Sequence, residues 1–278
     1  MPAFLSIPKA QLVDLYLNQR LSSRRIAKIL NCAYSTIDRK IRLANLPIRN
    51  LAQAHIIYPR MNFSGNFTEK AYLIGFRVGD LRVRKFYKNS ETIHADCGST
   101  KIEQINLIKQ LFNKYGRVWV SKPNMHNCIQ IECFLNNSFN FLLPSQPQNW
   151  IFMQKRYFFS FLAGFTDADG SIFVSNTNNQ AIYSLGNYNV LLLKKIQKYL
   201  GKFGISTPKI TKSPRAGLIA SHGYQYNNDY WTLRVSRKAS LVNLLKLICP
   251  HLKHATRITQ MTTAIANIKT RNKLYGRK

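Results

Sequence analysis

Residues 161–174 read FLAGFTDADGSIFV, and residues 72–81 read YLIGFRVGDL. Laying Leu73 to Asp80 over Leu162 to Asp169 matches glycine with glycine, small residue with small residue and Asp with Asp. Small residues recur at i and i+4, Gly75 and Gly79 in one stretch, Gly164 and Ala168 in the other. On a helix this spacing leaves a stripe bare of side chains, along which two backbones can approach closely. Glycine inside a helix costs up to about 1 kcal/mol relative to alanine, so its repetition points to packing. The residue after each stripe, Asp80 or Asp169, falls at a helix C-terminus, where exposed carbonyls are already partly negative. Two such helices paired about a pseudo-twofold axis bring the two carboxylates together at one end. Like charges that close raise a pKa unless a cation sits between them. A hard divalent ion suits oxygen ligands, which points to Mg²⁺, with Mn²⁺ as its substitute.

Outward from these stretches, the chain repeats one order of elements. A first helix (EKAYLIGFRVGD) leads into strands LRVRKFYK and TIHADC, a helix to FNKYG, strands RVWVSK and CIQIECF, and a short helical piece around SFNFLL. A second helix (KRYFFSFLAGFTDADG) leads into SIFVSNT and AIYSLGN, a helix to LGKFG, strands PKITKS and YWTLRVS, and terminal helices. Asp80 and Asp169 are 89 residues apart, and the helix-ending Gly116 and Gly204 are 88 apart, as an internal duplication requires. The expected fold class is α+β, two pseudo-twofold-related α-β-β-α-β-β-α repeats at 69–148 and 149–278, preceded by a linker at 51–68. Residues 1–50 read as a separate all-α module of three short helices. Ser22 or Ser23 is placed to cap the second, Asn31 to take the left-handed turn before the third, and Ile26, Leu30, Ile37 and Ile41 to form the buried stripe.

With these residues in view, the chain resembles the LAGLIDADG homing endonucleases in their single-chain, two-repeat form, over about residues 69 to 265. The segment FLAGFTDADGSIFV carries the resemblance and YLIGFRVGDL looks like a weaker first copy. The resemblance implies that each repeat forms a saddle of antiparallel strands along a DNA major groove, with the motif helices as the seam. It implies catalytic, metal-binding roles for Asp80 and Asp169, with the carbonyls of Gly79 and Ala168 as further ligands. The implied reaction is hydrolysis of one phosphodiester on each strand, across the minor groove, leaving 3′ overhangs. The first copy departs from the pattern: Leu81 stands for the terminal glycine, and Arg77 and Val78 for Thr166 and Asp167. A basic residue that some relatives place near the scissile phosphate has no clear match in PHLKHATR, which offers Lys253 and Arg257 around Ala255. The segment RRIAKILNCAYSTIDRKIRLANLPIR resembles a helix-turn-helix of the resolvase or sigma-factor type. That resemblance places Ser35, Thr36, Arg39 and Lys40 of the third helix at a DNA major groove.

Composition supports a polyanionic partner. The 278 residues hold 41 Lys and Arg against 11 Asp and Glu, a formal charge of +30, and a body so charged repels itself unless a polyanion neutralises it. With 45% apolar residues and 12% aromatics the chain is no disordered basic tail. No apolar run reaches the ~18 to 20 residues that span a bilayer, and no secretory signal opens the chain, so no membrane partner is expected and the protein reads as intracellular, bacterial rather than organellar. Five scattered cysteines form neither a disulfide framework nor a zinc pattern. Period-two alternation puts Arg82, Arg84 and Lys88 on one strand face and Thr232, Arg234 and Ser236 on another, with Lys209, Lys212 and Arg215 in a loop beside them; together with Lys253 these are the candidate DNA-binding residues of the repeats. The expected partner is double-stranded DNA with a long asymmetric target, bound by a monomer. The competing expectation is a nucleic-acid-binding protein without cleavage, either a maturase acting on its own intron RNA or a DNA-binding regulator.

Overall fold

Ser22 accepts a hydrogen bond from the Arg25 backbone N–H at 3.3 Å and so starts the second of three short helices at the head of the chain. These are α1 (Lys9–Val13), prolonged by a wider π turn over Asp14–Asn18, α2 (Ser23–Ile29) and α3 (Tyr34–Leu43). Asn31 takes the left-handed backbone (φ 48°) that lets α3 turn away from α2. Leu12, Tyr16, Ile26, Ile37 and Ile41 form a core separate from that of the rest of the chain. The structure, a computed structural model, describes residues 6–49, 58–219, 223 and 225–275.

The first repeat runs α4 (Phe67–Gly79), β1 (Arg82–Arg84), β2 (Thr92–Ser99), α5 (Ile102–Phe112), β3 (Arg117–Val120) and β4 (Ile129–Asn136), ending in a 3-10 turn over Asn137–Leu142. The second runs α6 (Lys155–Asp169), β5 (Gly170–Val174), β6 (Ala181–Asn187), α7 (Val190–Lys202), β7 (Thr211–Ser213), β8 (Tyr230–Val235) and α8 (Lys238–Ile248), and closes with α9 (Ala255–Tyr275). Each repeat holds a four-stranded antiparallel sheet, ordered β1-β2-β4-β3 and β5-β6-β8-β7, so the strand orders coincide. Strand alternation sends Ile93, Ala95, Ile131 and Cys133 of one sheet, and Ile172, Tyr183, Leu233 and Val235 of the other, into one shared core. On the opposite faces Arg82, Trp119 and Arg234 are exposed, while His94 and Asp96 at the middle of the first sheet are buried. Among the described residues no helix is long and apolar enough to cross a membrane.

The two sheets are joined through α4 and α6. A capping box fixes the start of α4: the Asn66 side chain accepts from the Thr68 and Glu69 N–H groups, and Glu69 accepts from the Asn66 N–H. A Cβ on Gly75 would lie 1.9 Å from the Phe161 carbonyl oxygen and 2.9 Å from the Phe165 nitrogen. A Cβ on Gly164 would lie 2.0 Å from the Tyr72 carbonyl oxygen and 3.0 Å from the Phe76 nitrogen. Each contact maps onto the other under the same 89-residue offset, the reciprocity that a twofold axis imposes on an interface. Further along, a Cβ on Gly79 would meet the Ala168 Cβ at 2.4 Å. The seam residues Gly75, Gly79, Gly164 and Ala168 therefore meet as the i, i+4 spacing requires.

Three expectations are corrected. Lys88 does not extend the first strand, because β1 ends at Arg84 and Lys88 sits in an exposed turn. Gly116 and Gly204 are not equivalent helix ends: Gly204 has φ +71°, whereas Gly116 lacks a side chain because a Cβ there would lie 2.2 Å from the Phe134 carbonyl oxygen. Of the expected linker, residues 51–57 lie outside the described residues, and the rest is bound to the first repeat. There Met61 N–H donates to the Tyr115 carbonyl (2.8 Å), Phe63 N–H donates to Ser138 Oγ (2.8 Å), and the Phe63 ring packs on Tyr115, Phe139 and Phe141.

Backbone contact at the seam makes a direct prediction for stability. Gly164→Ala places a methyl on the Tyr72 carbonyl, and urea unfolding is expected to show a loss of about 3 kcal/mol or more. Gly201→Ala, in α7 where nothing lies within 4 Å, is expected to gain about 0.5–1 kcal/mol. Equal effects would refute the close approach.

Candidate functional site

Asp80 is the residue on which α4 ends, and Asp169 is the last residue of α6. The seam brings them together: a Cβ on Gly79 would sit 3.2 Å from the Asp169 Oδ2. Burial pushes the Asp80 carboxyl up to about 6 against the pull of the Arg257 and Lys101 charges. Burial, and after it the Asp80 charge, pushes Asp169 up to about 7, opposed by a hydrogen bond from Asn187 and by Arg257. Gln104 Nε2 donates to Asp80 Oδ2. A cavity of about 270 Å³ opens beside Asp80, lined also by Ala168, Lys101, Gln104, His254 and Arg257 among others. His254 adds no cation at neutral pH, since burial and Arg257 push it down to about 4.

Asp167 is wholly buried and does something else. Its Oδ2 accepts from Tyr72 Oη (2.6 Å), Lys253 N–H (2.7 Å) and His254 N–H (3.1 Å), so it ties α4 and α6 to the segment that starts α9. One turn into α9, Arg257 Nε donates to the Thr166 carbonyl at 3.2 Å, placing a guanidinium at the negative end of α6. Of the two basic candidates in PHLKHATR, it is Arg257 that stands with the carboxylates. The Lys253 ammonium instead lies over the Tyr72 ring, 5.0 Å from its centroid, beside a different cavity lined by Phe63, Glu69 and Lys114.

The open sheet faces receive most of the remaining candidates. Arg82 and Arg84 lie on β1, Thr232 and Arg234 on β8, with Arg234 exposed between buried Leu233 and Val235. Lys212 lies in β7 rather than in a loop and pairs with Asp229 at 2.7 Å. Arg215 places its guanidinium near the Tyr226 and Tyr230 rings, and Lys209 is exposed just before β7. Ser236 lies beyond the end of β8, where its carbonyl accepts from Gln180 and it lines a pocket with Arg271 and Tyr275 of α9; the saddle face expected for it stops at Arg234. In α3, Ser35 and Arg39 are exposed and Thr36 and Lys40 half-buried.

Residues 157–249, the core of the second repeat and about a third of the chain, match the family model of the LAGLIDADG-like domain. Solved structures similar to this chain include the homing endonuclease I-DmoI in complex with DNA and Mn, with a TM-score of 0.45 and 17% identity over 67% of this chain and all of that one (100%). Another is the homing endonuclease I-WcaI bound to its DNA recognition sequence (TM-score 0.48, 13% identity, 69% of this chain and 86% of that one). A third is full-length WhiA from Thermatoga maritima (TM-score 0.47, 16% identity, 76% and 63%). No curated protein matches the chain.

Around the two carboxylates, sequence reading missed Gln104, Asn187 and Lys101. Gln104 had a signal: it occupies the apolar stripe of α5 with Ile108 and Leu111 and is only 5% exposed, a polar side chain where the helix buries itself. Asn187, at the end of β6, and Lys101, just before α5, carry no such mark. Among the described residues no group of three or more His, Cys, Asp or Glu could hold a metal. Two carboxylates beside helix-end carbonyls nevertheless suit a hard divalent ion that keeps several waters or takes substrate oxygens.

The raised carboxyls make stability depend on pH. Each binds its proton more tightly folded than unfolded, so its contribution falls as pH rises from the free value of 3.8 towards about 6 for Asp80 and 7 for Asp169. In metal-free buffer at pH 8, Asp169→Asn is expected to be more stable than wild type by on the order of 3 kcal/mol, the gap closing towards pH 4. Thermal unfolding across that range checks it, and a gap independent of pH would contradict it.

Proposed function

We propose that the chain is a site-specific DNA endonuclease that hydrolyses phosphodiesters with a divalent metal, Mg²⁺ first and Mn²⁺ in its place. One observation supports this above the rest: two destabilised carboxylates end the paired seam helices at pseudo-equivalent positions, flanked by sheets with open faces. A protein that only bound nucleic acid would gain nothing from aiming two carboxylates at a polyanion. In this reading Asp80 and Asp169 hold the metal, with the carbonyls of Gly79 and Ala168 as further ligands. The bound ion supplies Lewis acidity towards a phosphoryl oxygen and lowers the pKa of its water. Gln104 and Asn187 fix the carboxylate oxygens by hydrogen bonds. Arg257 offsets the negative end of α6 and, with Lys101, places positive charge where phosphate charge develops.

The open sheet faces take the major groove on either side of the centre. Arg82, Arg84, Thr232 and Arg234 serve phosphates and base edges with Lys209 and Arg215 beside them, while Lys88, Lys253 and Lys212, whose cross-strand partner is Trp231, lie off those faces. Ser35, Thr36, Arg39 and Lys40 of α3 extend the contact through the N-terminal module, which carries nine basic and two acidic residues over residues 1–50. Tethering that module to the repeats raises its effective concentration at the flanking DNA.

The test uses a supercoiled plasmid carrying a duplex that the protein selects from a random library. Wild type is expected to linearise it in Mg²⁺ and leave it intact in EDTA. Asp80→Asn and Asp169→Asn are each expected to lose at least about a hundredfold in rate while still binding. Tight binding by wild type with no cleavage in Mg²⁺ would replace the nuclease with a binding protein.

A further inference from the structure

The open faces of the two sheets differ in charge at matching positions. Two residues beyond Asp80 stands Arg82, which heads a row across the first sheet: Arg82 opposite Asp96, Asp96 opposite Glu132, and Glu132 opposite Trp119. Two residues beyond Asp169 stands Ser171, which heads the corresponding row: Ser171 opposite Ser184, and Ser184 opposite Arg234. Glu132 and Arg234 thus occupy the same place in the two repeats with opposite charge.

The two acids of the first row differ in availability. The Asp96 side chain is 5% exposed and saturated: Arg82 Nε donates to Oδ1 (3.2 Å) and Oδ2 (2.9 Å), Arg82 Nη2 lies 2.7 Å from Oδ2, and Gln130 and Arg84 stand at 3.4 and 3.8 Å. His94 Nδ1 is 3.4 Å away. This fork holds the Arg82 guanidinium, whose side chain is 65% exposed, at a fixed angle over the face. Glu132 is 30% exposed, and its hydrogen-bond partner among the described residues is the His94 ring, Nε2 to Oε2 at 3.3 Å. His94 is itself clasped between the Phe86 and Phe134 rings, so the Glu132 carboxylate is positioned through Oε2, while its Oε1 has no hydrogen bond among the described residues.

Phosphates repel a carboxylate on a DNA-facing surface, and only donors on base edges reward it. In the major groove these are the cytosine N4 and adenine N6 amino groups. Adenine sets the N7 acceptor beside its amino group, against a carboxylate, whereas the partner of cytosine offers O6 and N7, the acceptors an arginine fork fits. We propose that Glu132 and the Asp96-held Arg82 read cytosine and guanine in the half-site under the first sheet, and that Arg234 reads guanine in the half-site under the second. Glu132 and Arg234 are specificity-determining residues, and Asp96 is a positioning residue acting through Arg82. This rests on the DNA-binding reading above, and it gives the asymmetry of the target a chemical cause.

The experiment is selection from a random duplex library by the full chain, wild type beside Glu132→Gln and Arg234→Gln, followed by sequencing. Wild type is expected to enrich one motif with a cytosine in one half and a guanine in the other. Glutamine has a bidentate match to adenine, so Glu132→Gln is expected to shift that cytosine towards adenine by about fivefold or more, leaving the other half unchanged. Arg234→Gln is expected to alter only the other half. A wild-type motif that Glu132→Gln leaves unchanged overturns the inference and keeps the DNA reading. No enriched motif with wild type overturns both. An Asp96→Asn protein that enriches the motif but loses its guanine preference in the first half supports the positioning role; unchanged preference refutes it.

Discussion

Backbone contact between α4 and α6 fixes everything else in the two repeats. The helices touch where Gly75 meets the Phe161 carbonyl and Gly164 meets the Tyr72 carbonyl, and any side chain at either position would push them apart. Because the contacts are reciprocal, the axis between the helices is an axis for whatever each carries. The sheets that follow fall on opposite sides of it in the same strand order, and Asp80 and Asp169 fall together at one end. Ser160 Oγ, donating to the Thr68 carbonyl at 2.7 Å, closes the other end of the seam.

Placing two carboxylates there costs stability, and the surroundings offset only part of it. Burial raises both pKa values and the Asp80 charge raises that of Asp169 further, while Arg257 supports both carboxylates from outside the seam. Asp167, one helical position off the stripe, carries the opposite assignment. Its one oxygen bonded three times fastens α9 to the seam, and that fastening brings Arg257 to the Thr166 carbonyl. Neighbouring acids in one motif thus divide the work, Asp167 holding the frame and Asp169 standing at the helix end across from Gly79 and Asp80.

The repeat, the seam and the pair of carboxylates were legible because each rests on local spacing: i and i+4 for the stripe, period two for the strands, one constant offset for the duplication. What was not legible depends on contacts distant in sequence. Lys253 and Arg257 are one turn apart in the same segment, and only the anchoring by Asp167 decides that Arg257 turns to the carboxylates. Lys88 continued an alternation on paper that the chain ends at Arg84, since pairing with β2 stops at the Arg84–His94 register. Gly116 and Gly204 shared a spacing without sharing a cause. The pairing of acids on the first sheet was not legible because Asp96 and Glu132 are adjacent only across strands.

The central claim is that Asp80 and Asp169 form one shared cation site made by the seam. It is tested most directly by thermal unfolding of wild type and the Asp80→Asn, Asp169→Asn double variant at pH 8, titrated with Mn²⁺. A ligand that binds only the folded state raises the midpoint with its concentration. The account predicts a midpoint that climbs with Mn²⁺ for wild type and stays flat for the double variant; parallel curves for the two proteins would contradict it.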